Sequence, residues 1–209
     1  MCPTTRAGVR RLRFEGQIAG LGTEEGTRIV VGRWGRSPFG GFADVMVERP
    51  GGHRLLLAPS PRVTEFVSAT YTFDQTIQTP VVVSVADDGW FVDAGPLQLR
   101  FSTGARTPLG WLLRGIPPAV AGAPWFATAA DPVARVVLGG VRTKGTAGVG
   151  RREWYGASDV HRIVSTTASW DGDDLGGLRT VTPAVRFGFG STPAQPSVTD
   201  VVSTVRVPA

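Results

Sequence analysis

Cysteine, lysine and histidine are nearly missing from these 209 residues: Cys2 is the one thiol, Lys144 the one lysine among 22 cationic side chains, and His53 and His161 the two imidazoles. A lone thiol excludes an intrachain disulfide. One cysteine and two distant histidines cannot supply a zinc set. Asp171, Asp173 and Asp174 around Gly172 share a calcium loop's composition but not its twelve-residue frame or its closing glutamate, so no metal is expected. Long apolar runs are missing too, and no stretch of about 20 unbroken apolar residues is present to span a bilayer. The first apolar run is preceded by arginines and followed by Gly and Glu, which is a strand and not a secretory signal, so the expected setting is cytoplasmic. Gly20 to Gly22 is a Gly-x-Gly without an ensuing helix, which excludes a dinucleotide fingerprint, and no cofactor is expected.

What is there is β-forming. Charged residues make up 19% of the chain and apolar ones 42%, with 28 Gly and 16 Pro, a composition of many short elements joined by tight turns. The net charge of +5 is spread along the chain. Its clusters, Arg6, Arg10, Arg11 and Arg13 and then Arg151 with Arg152, fit solvated strand faces or loops better than a phosphate track, so no nucleic-acid partner is expected.

Residues 1–9 read as a flexible arm and 10–209 as a single β-rich domain. Leu12, Phe14 and Ile18 alternate with Arg11, Arg13 and Gln17, the period of a half-buried strand. A second strand runs from Arg28 to Trp34. Phe42 to Glu48 and His53 to Leu57 flank Arg49-Pro50-Gly51-Gly52 as a hairpin, with Phe42, Asp44, Met46 and Glu48 on one face and Ala43, Val45 and Val47 on the other. Ser60 followed by Pro61 starts a short helix over about 61–69, with Val63, Phe66 and Val67 inward. Tyr71 and Phe73 resume strand spacing, and Val81 to Val85 reads as a strand buried on both faces. Further strands are expected at Trp90 to Val92, Leu97 to Phe101, Val141 to Lys144, Arg152 to Tyr155, Val160 to Trp170, Val181 to Phe189 and Val198 to Val207. Gly188 and Gly190 suggest a bend or a close backbone approach. About ten short strands predict an antiparallel barrel or curved sandwich.

One stretch breaks the pattern. Residues 107–139 are apolar and carry no charge between Arg114 and Asp131, while Pro117, Pro118 and Pro124 prevent one continuous helix. This helical insertion has three roles open to it: core, lid over a cavity, or a surface placing Trp111 and Trp125 at a lipid headgroup layer as a peripheral membrane contact.

Candidate chemistry clusters between Glu153 and His161. On a strand, Asp159 and His161 share a face at spacing two, so the carboxylate can orient the imidazole for proton transfer; Glu153 and Tyr155 are likewise same-face neighbours. Lys144 is the one side-chain amine and a candidate Schiff-base nucleophile. Gly32-Arg33-Trp34 resembles the G-x-W of the lipocalin first strand, and Arg206 stands where that family carries an arginine across the tryptophan. The resemblance implies a cup-shaped β-barrel for a small apolar ligand. Here a strand precedes the motif and a helical insertion interrupts the barrel order. The expected function is binding or carriage of a small hydrophobic molecule between sheet and insertion. Its expected lining is Trp34, Phe73, Trp111, Trp125, Phe126 and Phe187, with Tyr155 or His161 as polar anchor. The alternative is an isomerase, cyclase, decarboxylase or hydrolase working through Asp159, His161, Tyr155 and Lys144.

Overall fold

A computed structural model describes residues 9–87, 89–137, 142–148, 150–188 and 192–208, and for 118, 119, 133–137 and 147 the backbone alone. The chain starts with a meander: β1 (Val9–Thr23), β2 (Arg28–Arg36), β3 (Phe42–Glu48) and β4 (Arg54–Ala58). Helix α1 (Pro61–Ser68) crosses to β5 (Gln75–Gln78), which pairs parallel with β4. A second meander, β6 (Val82–Ala86), β7 (Gly89–Ala94) and β8 (Leu97–Arg106), leads into the insertion: α2 (Pro108–Arg114), α3 (Pro118–Ala121) and α4 (Pro124–Val137). Then come β9 (Lys144–Ala147), β10 (Arg151–Trp170), β11 (Asp173–Asp174), β12 (Leu178–Arg179) and β13 (Ser197–Pro208). The path through the sheet is β5-β4-β3-β2-β1-β13-β10-β8-β7-β6, so the two meanders are joined through β1, β13 and β10.

The sheet is mostly β and curled, as the alternation predicts. Leu21, Val31, Val47 and Leu57 from one half share a buried cluster with Trp90, Leu99, Phe101 and Ala168 from the other. Strands from opposite halves of a ten-strand path can share one core only when the sheet bends back on itself, which is the native twist carried to a half-barrel. Ile77 of β5 and Val83 of β6, at the two ends of the path, both border that core.

Several local expectations hold. Ser60 caps α1 by accepting from the Val63 amide at 3.4 Å, with Val63 and Val67 buried beneath it. The β3–β4 hairpin closes by the Arg49 amide donating to the His53 carbonyl at 2.9 Å, with Gly52 at φ +85°. In the insertion, Pro108, Pro118 and Pro124 are first residues of helices, where a missing amide costs nothing, and this is how a proline-rich segment still becomes helical.

Other expectations are corrected. Val81 to Val85 is not doubly buried: β6 is a sheet edge with Val82 and Val85 exposed. Tyr71 and Phe73 lie between α1 and β5, outside any strand. Residues 181–188 form no strand and cross over the sheet as an irregular segment, although Val181 and Phe187 are buried. The part of that expectation on Phe189 and Gly190, the one on Val141 and the arm 1–8 lie outside the described residues.

Candidate functional site

The sheet's second face, opposite the shared core, carries the site. Register places Ile18 across from Thr199, and Thr199 across from Val160; Phe14 lies across from Ser203, and Ser203 across from Tyr155. A bulge between Ala157 and Asp159 shifts the alternation of β10 there. Glu153, Tyr155, Ala157, Val160 and Arg162 therefore face one way, and Gly156, Asp159 and His161 the other.

Over the first of these faces lies a cavity of about 980 Å³, walled by Ile18, Val30, Met46, Ala157 and Val201. The described residues of 178–188 and 192–196 roof it with Val185, Phe187 and Pro193. Glu48 holds this roof. Fully buried on β3, it accepts from the Arg186 amide at 2.7 Å and from Arg186 Nε at 2.9 Å, with Arg28 at 3.0 Å. The Thr72 amide donates to the Phe187 carbonyl at 2.7 Å and the Ile163 amide to Pro196 at 3.0 Å, which tie the other margins. Gly188 lies against the Tyr71 ring, where an added Cβ would come within 2.8 Å. The close approach expected at Gly188 is therefore made by a side-chain ring and not by another backbone, and Gly190 lies outside the described residues.

At one end the cavity meets a smaller hollow of about 40 Å³, with Tyr71 and Tyr155 lining both. The two phenol oxygens are 2.6 Å apart. Tyr71 Oη lies 2.7 Å from Glu153 Oε2, and Ser203 Oγ donates to Glu153 Oε1 at 2.6 Å. Asp44, buried on β3, accepts from Trp34 Nε1 at 3.0 Å. Burial pushes the Asp44 carboxyl up to about 7, against the pull of the Trp34 bond and helped by the charge of Glu153. Burial raises Glu153 as well, against the hydroxyls of Ser203, Tyr71 and Tyr155. Tyr71 is held well above the usual phenol value by burial and by Glu153. The result is a buried carboxyl connected to an apolar cavity by a chain of two phenols, an arrangement that can hold a proton and present it at the Tyr155 oxygen.

Of the residues picked from sequence, Tyr155 and Phe187 line the cavity and Trp34 the smaller hollow. Phe73 stands behind Phe187, ring centroids 5.7 Å apart. Trp111 and Trp125 are 64% exposed, and Phe126 packs edge-on to Trp125 at 5.8 Å. The insertion contributes the cavity rim through Thr107 and the first residues of α2, Pro108 and Leu109, while α3 lies on the opposite face, where the Ala121 carbonyl occupies the space of a Cβ on Gly156. Asp159 and His161 do come together, His161 Nε2 lying 3.6 Å from Asp159 Oδ2, but beside α2 and not among the cavity-lining residues. Burial pushes Asp159 up, yet Arg106 Nε at 2.8 and 2.9 Å and the Val160 amide outweigh it and hold the carboxylate low. His161 Nδ1 is 3.2 Å from the Gly104 carbonyl. Lys144 opens β9 opposite Trp154, its amide 3.3 Å from the buried Asp131 carboxylate. Arg206 pairs with Arg11 and Arg152, whereas Trp34 lies in the row of Gly16 and Val201; the polar partner of the indole is Asp44. The acidic turn folds back on itself, with Asp174 accepting from the Gly176 amide at 2.9 Å.

Sequence reasoning missed Tyr71, Asp44 and Ser203 as members of the site. The signal for Asp44 was its place between the apolar Phe42 and Met46 on one strand face, a row that also ends in an acid, Glu48. Tyr71 and Glu153 are 82 residues apart, and no local pattern joins them.

No family model matches the chain, and no curated protein matches it. Among solved structures it is similar to an acetoacetate decarboxylase from Legionella pneumophila, at 10% identity and a TM-score of 0.44 over 98% of this chain and 89% of that one. It is also similar to a protein assigned as AttH from Nitrosomonas europaea, at 10% identity and a TM-score of 0.27 over 98% of this chain and 40% of that one. Likenesses this distant leave the reading of the site to its own geometry.

Proposed function

We propose that this protein binds a small, mainly apolar molecule in the cavity between the central strands and the cover formed by residues 178–188 and 192–196, with the Tyr155 hydroxyl as its polar anchor. The observation that carries the reading is a hollow of about 980 Å³ with aliphatic walls and a hydrogen-bonded Tyr155–Tyr71–Glu153 chain at one end. Its size is that of ordinary small-molecule sites, and an apolar enclosure with few polar groups is what such sites share. The reading keeps the cup implied by the G-x-W resemblance and moves its cover from the insertion to residues 178–188 and 192–196. Native mass spectrometry of the purified protein, followed by extraction, should reveal a co-purifying apolar molecule. Replacing Ala157, on the cavity wall, by Trp should abolish its retention. Retention unchanged in A157W would remove the reading.

Two observations favour additions to it. Glu153 is coupled to the cavity by hydroxyls, so proton transfer on the bound molecule would run through Tyr155 and Tyr71, while Asp159, His161 and Lys144 lie apart from that chain. Solvent exchange of ligand protons that stops in Tyr155→Phe would support this, and exchange that continues would end it. Trp111, Leu112 and Trp125 of the insertion are exposed at 64%, 70% and 64%, and Arg106 lies over the Trp111 ring, which suits a lipid headgroup layer. Flotation with anionic liposomes that fails for W111A/W125A would support membrane contact.

A further inference from the structure

Among the described residues, the cavity wall includes Arg142, Arg162 and Arg179 and no Asp or Glu. Arg179 is paired with Glu24, whereas Arg142 and Arg162 have no ion pair or hydrogen bond among the described residues. The two stand apart. Arg162 lies across from Ser197 and Tyr155 across from Ser203, six residues along β13 and about 20 Å at the strand rise. Arg142 belongs to the Tyr155 end, because the Tyr155 amide donates to the carbonyl of the adjacent Thr143 at 2.8 Å. An apolar space bordered by uncompensated guanidinium groups favours an anion and repels a cation.

The hydroxyl chain sets a second condition. Each phenol has one proton to donate. With Glu153 ionised, the Tyr71 proton goes to Glu153, the Tyr155 proton goes inward to Tyr71 or Glu153, and Tyr155 offers the cavity lone pairs alone. With Glu153 protonated the chain reverses: Glu153 donates to Tyr71, Tyr71 to Tyr155, and the Tyr155 hydroxyl turns outward as a donor. An anionic acceptor needs the second arrangement. Taking the cavity reading above as its basis, we infer that the bound molecule is an amphipathic carboxylate whose charged end meets Arg142 and the Tyr155 hydroxyl, and that its binding takes up one proton at Glu153. The groups facing Glu153 permit this. Asp44 on β3 disfavours a second buried negative charge, while Tyr71 after α1, Tyr155 on β10 and Ser203 on β13 are neutral. Arg151, on the same strand face as Glu153, is engaged by the Phe66 carbonyl and Thr70 Oγ1 and has Glu65 as its charged neighbour.

Calorimetric titration with dodecanoate and dodecanol, at pH about 5.5 and about 8.5 and in two buffers of different ionisation enthalpy, tests it. Dodecanoate affinity should fall about tenfold or more toward the higher pH, with proton uptake greater at the higher pH and approaching one per molecule bound there, while dodecanol stays within about twofold. In Glu153→Gln, whose amide donates to Tyr71 at every pH, dodecanoate binding should become independent of pH. Arg142→Ala should weaken dodecanoate about tenfold and leave dodecanol unchanged, with Arg142→Lys restoring most of the loss. Buffer-independent heats, a pH profile that survives in E153Q, or equal binding of acid and alcohol would overturn the inference and leave the cavity reading standing. If neither compound binds the wild type, the two fall together. Should E153Q fail to fold, proton uptake by the wild-type protein decides alone.

Discussion

Asp44 is a buried carboxyl whose protonation is tied to folding. Its carboxyl is raised from 3.8 to about 7 in the folded chain, chiefly by burial. A carboxyl raised on folding binds its proton more tightly in the native state. Its contribution is therefore neutral below the unfolded value, and stability falls as pH rises from about 4 to about 7. Replacing Asp44 with Asn keeps an acceptor for Trp34 Nε1 and removes that loss. D44N should gain on the order of 4 kcal/mol relative to wild type between pH 4 and pH 8, read from urea unfolding at each pH. Glu48, also buried on β3, is paired with two arginines, Arg28 and Arg186. Glu48→Ala strands Arg28, whose side chain is 4% exposed, and should cost about 3 to 5 kcal/mol of unfolding free energy while loosening the cavity cover. Tyr155→Phe leaves the packing in place and removes the cavity hydroxyl. Ligand affinity should fall about tenfold, and loss of the bond to Tyr71 should lower unfolding free energy by about 1 kcal/mol.

At the scale of elements, β10 organises the molecule, because its two faces serve different purposes. One face lines the cavity with Tyr155, Ala157, Val160 and Arg162, and the other receives the insertion against Gly156 and Asp159. Gly156 makes the second contact possible, since an added Cβ would lie 1.9 Å from the Ala121 carbonyl oxygen. G156A should therefore displace α3 and lower stability by about 1 to 3 kcal/mol in a thermal melt. A neutral result would mean that α3 is not seated there. The same two-sidedness explains why Asp159 and His161 are legible in the sequence as a pair and yet miss the cavity. Alternation correctly gives them a common face, but which face borders the hollow depends on the bulge at Ser158 and on what packs above each side. Pro117, Pro118 and Pro124 were legible as helix breakers; Pro118 and Pro124 start α3 and α4 as Pro108 starts α2, in keeping with the missing amide, while Pro132 lies within α4.

For the whole molecule, the consequence of the fold is that one curled sheet makes two compartments. Its inner face closes on itself as core, which leaves the outer face of the central strands to be covered by α1 and by residues 178–188 and 192–196. The cover does not fill the space. Val185 and Phe187 alternate as a strand would, but they point into the hollow and toward Phe73 instead of extending the sheet, and periodicity does not distinguish these cases. The amino-acid order alone determined the β class, the β3–β4 hairpin, α1 with its Ser60 cap, and the pairing of Glu153 with Tyr155 on one strand face. These depend on period, turn chemistry and capping, which act over a few residues. Where the hollow lies, that Tyr71 and Ser203 close around Glu153, and that the insertion rims the site without roofing it were decided by tertiary structure, because those contacts depend on how the sheet curls and on which distant segment covers each face.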